Sequence, residues 1–148
     1  MLDSGILSLA AQRPGVSEAD ACRGWIAECL RARDRILVPA IANYEVRREL
    51  VRAGKTAGIA RLDAFIDAEP DRYIVLTDAA LRLAAQLWAK ARQQGSPTAD
   101  QKALDGDVIL AAQVLTLSAA SGTTIVATTN LRHLSLFVNA QKWPDIQP

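Results

Sequence analysis

The stretch LDGDVILAAQVLTLSAA, residues 104–120, is the most apolar part of the chain. Between Val108 and Leu117, the polar interruptions of its apolar surface are Gln113 and Thr116, and a helix that is apolar nearly all round is typically buried. The run falls short of a membrane span. Asp105 or Asp107 can cap this helix, because a negative charge suits a helix N-terminus. The stretch therefore predicts a buried helix over 108–120 that begins at two carboxylates.

On both sides of this helix, short β-branched runs alternate with longer helical patterns. The predicted strands are ML (1–2), ILV (36–38), YIVL (73–76) and TIVA (124–127). The predicted helices are SEADACRGWIAECLRARD from a cap at Ser17, IANYEVRRELVRAG up to Gly54, TAGIARLDAFIDAE from Thr56, and TDAALRLAAQLWAKARQQG from a Thr77/Asp78 cap to Gly95. Such alternation favours an α/β fold, in which helices cover a parallel sheet.

Length and composition bound the class of protein. The 148 residues suit one domain, and 50% apolar with 22% charged residues describe a globular chain. The net charge of +1 removes the global basic field that many nucleic-acid binders use. Cys22 and Cys29 lie about 10 Å apart along a predicted helix, too far to bridge, so we expect buried thiols in a reducing compartment. The sequence predicts a cytoplasmic protein that does not span a membrane.

Several polar side chains follow the predicted strands. Asp3 comes after the first strand, Glu45 lies on the helix after the second, and Thr128 and Asn130 follow the fourth. Ligands of parallel α/β folds bind beyond the carboxyl ends of the strands. Asp107, at the mouth of the buried helix, completes the set of acids. We therefore expect these residues at one edge of the sheet.

Each acid also has a purely structural interpretation. Asp3 can cap a helix that starts with ILSLAAQ, and Glu45 can pair with Arg48 on a solvated face. Carboxylates gathered at the buried helix would repel one another unless a cation neutralised them. Oxygen donors without cysteine fit a hard cation, Mg²⁺ or Mn²⁺, and do not fit zinc.

Four motifs, LDSGILSL, NYEVRREL, DVILAA and TTNLRHL, occur in an order that resembles the PIN-domain nucleases. Among these, the chain is most similar to the VapC-type toxins of bacterial toxin–antitoxin pairs. The resemblance implies a single-domain, three-layer PIN-like fold over residues 1–148, with a parallel sheet of about four to five strands flanked by helices. It also implies a Mg²⁺-dependent (or Mn²⁺-dependent) endoribonuclease that hydrolyses RNA phosphodiester bonds.

Carried over by motif, the resemblance assigns Asp3, Glu45 and Asp107 as catalytic and metal-binding residues. Asp105 is an extra carboxylate and an auxiliary candidate, which either assists the three acids or only caps the helix. Asn130 stands near the place where many family members carry a fourth acid. Asn130 and Thr128 are therefore auxiliary candidates, and we interpret the single histidine, His133, as a surface or packing residue.

The resemblance also implies partners: an RNA substrate, a cognate VapB-type antitoxin and a second copy of the chain. Basic residues near Glu45 are candidates for contact with the RNA or the antitoxin, or they only solvate a helix pair. These are Arg47, Arg48 and Arg52, with Lys55 and Arg61 beside them. The patch of Tyr44 and Val51 is a further candidate contact surface.

Two other interpretations stay open. The absence of the fourth acid favours a catalytically weakened PIN-like module that binds RNA or protein without turnover. The two residues before Asp3 imply either a short central strand or a chain that begins earlier. A phosphatase or phosphotransfer domain fits poorly, because the chain has neither a DxD motif after Asp3 nor a GxxxxGK phosphate loop.

Overall fold

The computed structural model describes residues 1–93, 101–121 and 123–147. The helices in these ranges are α1 (Ser4–Ala10), α2 (Ser17–Arg31), α3 (Ala40–Arg52), α4 (Thr56–Asp67), α5 (Asp78–Gln93), α6 (Gln101–Ser121) and α7 (Leu131–Leu134). The strands are β1 (Val38–Pro39), β2 (Tyr73–Ile74), β3 (Val126–Thr128) and β4 (Ala140–Lys142), and a 3₁₀ turn covers Trp143–Asp145. Helices thus dominate the described part of the chain.

The predicted sheet of about four to five strands, flanked by helices in a three-layer PIN-like fold, is wrong. The strands form two separate parallel pairs, β1 with β2 and β3 with β4. Each pair joins only two or three residues of each strand, and the predicted first strand contributes one isolated bridge between Leu2 and Ala127. The β-branched runs are therefore too short to build one continuous sheet.

The first three residues lie between these two pairs of strands. The amide of Leu2 donates to the carbonyl of Leu37 at 2.9 Å, just before β1. The amide of Asp3 donates to the carbonyl of Ala127 at 3.0 Å, and the amide of Ala127 donates to the carbonyl of Met1 at 2.9 Å. These bonds hold Asp3 beside β3.

The predicted burial of the apolar helix is confirmed for the middle of α6. Five of its apolar side chains are at most 3% exposed: Val108, Leu110, Ala111, Ala112 and Val114. Val108 and Ala112 pack against α5, while Leu110 and Val114 pack against Val126 of β3. Leu115 is 36% exposed, so one side of the helix reaches solvent. Within the described ranges, no helix combines the length and the hydrophobicity that crossing a membrane requires.

Several predicted helix boundaries agree with the structure. Helix α4 begins at Thr56, the Oγ1 atom of Thr77 accepts from the amide of Ala80 at 3.2 Å, and Gly54 follows α3 with φ +63°. Ser17, predicted as a cap, is instead the first residue of α2. The predicted helix end at Gly95 lies outside the described residues, and the sequence did not predict α7 or β4.

Helix α6 begins earlier than the sequence predicted. It starts at Gln101, so Asp105 and Asp107 lie inside the helix, and the prediction that one of them caps it is wrong. The physical reason is local, because Gln101, Lys102 and Ala103 all have high helix propensity and extend the helix backwards.

Candidate acidic site

Asp3 is held in place by donors from two different elements. It is the N-cap of α1, as predicted, and its Oδ1 atom accepts from the amide of Ser4 at 2.6 Å. Its Oδ2 atom accepts from the hydroxyl of Thr128, at the end of β3, at 2.7 Å. The carboxylate is therefore both a helix cap and an oriented, half-buried anion.

Thr128 is the residue that fixes this carboxylate. Its side chain is fully buried, and its Oγ1 atom also accepts from the amide of Asn130 at 2.9 Å. Asn130 is exposed and caps α7, where its Oδ1 atom accepts from the amide of Arg132 at 3.4 Å. Of the two auxiliary candidates after β3, Thr128 contacts an acid of the site and Asn130 serves a different helix.

Glu45 lies on α3 and faces a glycine of α6. A Cβ atom built on Gly106 would be 2.6 Å from Glu45 Oε1, so only glycine leaves that carboxylate its present place. Glycine inside a helix costs about 1 kcal/mol relative to alanine, a cost that the close approach explains. Gly106 was not among the predicted site residues. A glycine between two aspartates in a helical stretch nevertheless indicates a place where another group comes close to the helix.

Asp107 is the acid of α6 whose pKa responds to the other two predicted acids. Burial raises the pKa of its carboxyl from 3.8 to about 7, and the negative charges of Asp3 and Glu45 add to the shift. The three acids assigned by the resemblance therefore interact electrostatically, although they come from an N-cap and two helices far apart in sequence. Asp105, two residues away, is exposed on the outside of the helix.

The side chains of this site fit a hard divalent cation by their chemistry, because all three donors are carboxylates. A bound cation would offset both the burial of the Asp107 carboxylate, the main cause of its raised pKa, and the smaller repulsion from Asp3 and Glu45. They do not form a finished coordination shell. Across residues 1–93, 101–121 and 123–147, no three His, Cys, Asp or Glu side chains form a group that could hold a metal ion.

Two of the basic residues predicted to contact RNA have internal partners. Arg47 forms an ion pair with Asp63 of α4. The Nε atom of Arg61 donates to the carbonyl of Ala11 at 2.9 Å, just after α1. Both guanidinium groups thus connect helices, which explains their presence without a nucleic acid.

The other two arginines project further into solvent. The Arg48 guanidinium stacks 5.4 Å from the ring centre of Tyr44, and Arg52 pairs with Glu49 of the same helix at 2.7 Å. Their side chains are 53% and 77% exposed, so their charges are accessible to a partner.

A groove of about 450 Å³ between α1 and α3 brings acidic and basic groups together. The polar and charged side chains that line it are those of Ser4, Ser8, Glu45, Arg48, Glu49, Arg52 and Lys55. The groove therefore runs from one acid of the candidate site along the accessible arginines.

The remaining candidate residues lie outside this site. His133 is half-buried on α7. Cys22 and Cys29 are both buried and free, as the sequence predicted, and burial raises the pKa of the Cys22 thiol to about 11. Such thiols are unreactive and act as small apolar residues in the core.

Comparison with protein-family models, curated proteins and solved structures finds no match for this chain.

Proposed function

We propose that this chain is a Mg²⁺-dependent (or Mn²⁺-dependent) endoribonuclease of the VapC toxin type, with Asp3, Glu45 and Asp107 as its catalytic and metal-binding residues. The observation that carries the proposal is the meeting of these three acids, which come from separate elements and are close enough for two of them to raise the pKa of the third. Uncompensated carboxylates are costly to gather, and functional sites are where such clusters are kept.

When bound, the divalent cation would supply a Lewis acid that lowers the pKa of a water molecule and offsets charge on the phosphate. Residues of the chain position the three acids. Thr128 orients the Asp3 carboxylate through a hydrogen bond, and the room left by Gly106 sets the place of Glu45. Without a cation, Asp107 keeps its proton up to about pH 7, so cation binding below that pH releases a proton and strengthens as the pH rises.

The groove between α1 and α3 supports RNA as the substrate. It starts at Glu45 and continues past the exposed guanidinium groups of Arg48 and Arg52 and past Lys55. Phosphate contacts from such groups provide most of the nonspecific affinity for nucleic acid. Arg47 is a weaker candidate for this role, because its side chain is only 35% exposed and is held by Asp63 of α4.

The proposal extends to the partners of a type II toxin. A small VapB-type antitoxin would occupy the same groove, and a homodimer would use the patch of Tyr44 and Val51, which are 59% and 60% exposed. Size measurement in solution, with Val51→Glu as the variant, tests the dimer: the variant should be monomeric. We place the protein in the cytoplasm, where the free thiols of Cys22 and Cys29 stay reduced.

One observation favours a second function, an RNA- or protein-binding module without turnover. The acids of the described residues do not form a ready three-ligand group, which agrees with a weakened site. The two functions differ in metal binding, because a module without turnover has no reason to keep affinity for a divalent cation.

The test combines RNA cleavage with calorimetric titration of Mn²⁺. Purified protein is incubated with single-stranded and structured RNAs in Mg²⁺, in Mn²⁺ and in chelator. We expect cleavage only with a divalent cation, and its loss in Asp3→Asn, Glu45→Gln and Asp107→Asn. Asp105→Asn is the matched control, because this exposed acid lies on the same helix and should keep activity.

Intact RNA in both metals, together with equal Mn²⁺ affinity for the parent and for Asp107→Asn, contradicts the enzymatic proposal. RNA retained on the protein in the absence of cleavage then favours the binding module.

A further inference from the structure

Gln113 is a fully buried polar side chain that joins three elements. It lies in the middle of α6 and is 1% exposed. Its Oε1 atom accepts from the amide of Ile41, in the first turn of α3, at 3.3 Å. Its Nε2 atom donates to the carbonyls of Ile74 and Val75, at 3.0 and 3.3 Å, at the end of β2. One amide group thus bonds three backbone groups from two other parts of the chain.

The bond to Ile41 satisfies an amide that has no partner within its own helix. The first amides of a helix have no partner within it, and α3 begins after Pro39 without a side-chain cap. Gln113 therefore caps α3 from a different helix. Thr116, three residues further along α6, differs because its hydroxyl donates within the same helix, to the carbonyl of Ala112 at 2.8 Å.

The position of Gln113 relates it to the acidic site. Glu45 is one helical turn, about 6 Å, beyond Ile41 on α3. Asp107 is about 9 Å before Gln113 on α6. The two helices therefore approach each other at two places. One is the hydrogen bond between Gln113 and Ile41, and the other is the close approach of Glu45 to Gly106.

We propose that Gln113 is a positioning residue of the acidic site, which fixes the separation of Glu45 and Asp107 by bonding α6 to the start of α3. This inference rests on the proposed function, because it concerns the cation affinity of the same acids. A residue that only stabilised the fold would change the free energy of unfolding and leave the affinity of the folded protein unchanged.

The experiment compares Gln113→Met with Val114→Ala. Methionine keeps the length and volume of glutamine and removes its donors and acceptor. Val114→Ala is the matched control, because Val114 is the next residue of α6, is also buried, and packs against Leu110 and Val126 instead of bonding α3. Mn²⁺ affinity is measured by calorimetry at a temperature where circular dichroism shows both variants folded.

We expect Gln113→Met to weaken Mn²⁺ binding by about tenfold or more, the range seen when residues that orient metal ligands are removed. Val114→Ala should bind Mn²⁺ as the parent does, although it is also destabilised. If Gln113→Met does not fold, Gln113→Asn replaces it, since the shorter amide cannot span Ile41 and Ile74 together.

Equal Mn²⁺ affinity in Gln113→Met and the parent overturns the positioning role, and so does an equal weakening in Gln113→Met and Val114→Ala. In both cases the proposed function stands if the parent binds Mn²⁺ and cleaves RNA. A parent that neither binds Mn²⁺ nor cleaves RNA overturns both.

Discussion

Two polar residues of α6, six positions apart, meet opposite surroundings. Gln113, in the middle of the helix, is fully buried and neutral, and backbone groups of α3 and β2 satisfy its amide. Asp107, in the N-terminal part, is half-buried, and burial, with a smaller contribution from the charges of Asp3 and Glu45, raises its pKa to about 7. A satisfied buried group specifies structure, whereas crowded like charges weaken it. The middle of α6 therefore holds a polar group that the fold satisfies, whereas its N-terminal part holds a charge that the fold disfavours.

The largest effect is expected at Asp107. We expect Asp107→Asn to lower metal-dependent RNA cleavage by at least about a hundredfold, since it removes a proposed ligand. The same substitution should raise the free energy of unfolding at pH 8 in chelator, because it removes one of three repelling charges. Urea unfolding and a cleavage assay measure the two changes.

The control for this substitution is Asp105→Asn. Asp105 is exposed on the same helix, so RNA cleavage should stay within about twofold of the parent and the free energy of unfolding within about 0.5 kcal/mol. If Asp107→Asn lost both stability and activity, the proposed difference between the middle of α6 and its N-terminal part would be contradicted.

Thr128 extends the comparison, because it is a buried and satisfied group that acts directly on an acid. We expect Thr128→Val to lower cleavage about tenfold or more and to destabilise the fold by about 1–3 kcal/mol, since Asp3 Oδ2 and the amide of Asn130 both lose their partner. Thr129→Val, at the exposed neighbouring position, is the control. Full activity in the Thr128 variant would show that Asp3 needs no such support.

The pH dependence of stability isolates the charge of Asp107. Its pKa is higher in the folded protein, at about 7, than the ordinary 3.8, so the protonated carboxyl favours folding. This contribution is complete below pH 3.8 and is lost as the pH rises through about 7. In chelator, the parent should lose about 1–2 kcal/mol relative to Asp107→Asn between pH 4 and pH 8, a value discounted for solvent screening of a half-buried group.

Urea unfolding of both proteins across this pH range provides the measurement. Saturating Mn²⁺ should abolish the difference in slope, because a bound cation keeps the carboxylate ionised. Parallel stability curves for the parent and Asp107→Asn in chelator would argue against an acid crowded by its neighbours.

The smallest effect is expected at Gly106. The new methyl group of Gly106→Ala must displace the Glu45 carboxylate, so Mn²⁺ affinity should fall by less than about tenfold. Stability should stay equal or rise by up to about 1 kcal/mol, because alanine favours a helix. Gly24→Ala on α2 is the matched control: open space surrounds it, and it should gain stability without changing Mn²⁺ affinity. A stable Gly106 variant with unchanged affinity would separate Glu45 from metal binding.

The sequence predicted local features better than their assembly. The cap at Asp3, the start of α4 at Thr56 and the burial of α6 follow from short-range propensity and periodicity, and the structure confirms them. The prediction of one sheet was wrong because strand pairing depends on partners far along the chain, which no local pattern specifies. Strand β4 was missed for the same reason, since AQK has no apolar alternation and is a strand only because β3 pairs with it.

The sequence by itself determined which residues are acidic, which helix is buried, and that Gln113 and Thr116 interrupt that helix. Only the tertiary structure decided how these residues meet. Thr128 holds Asp3, Gly106 makes room for Glu45, and Gln113 ties α6 to α3, all through contacts between residues at least 60 positions apart. Hydrogen bonds and charge repulsion depend on distances of a few ångströms in space. The sequence specifies the side chains, but only the fold sets the distances between them.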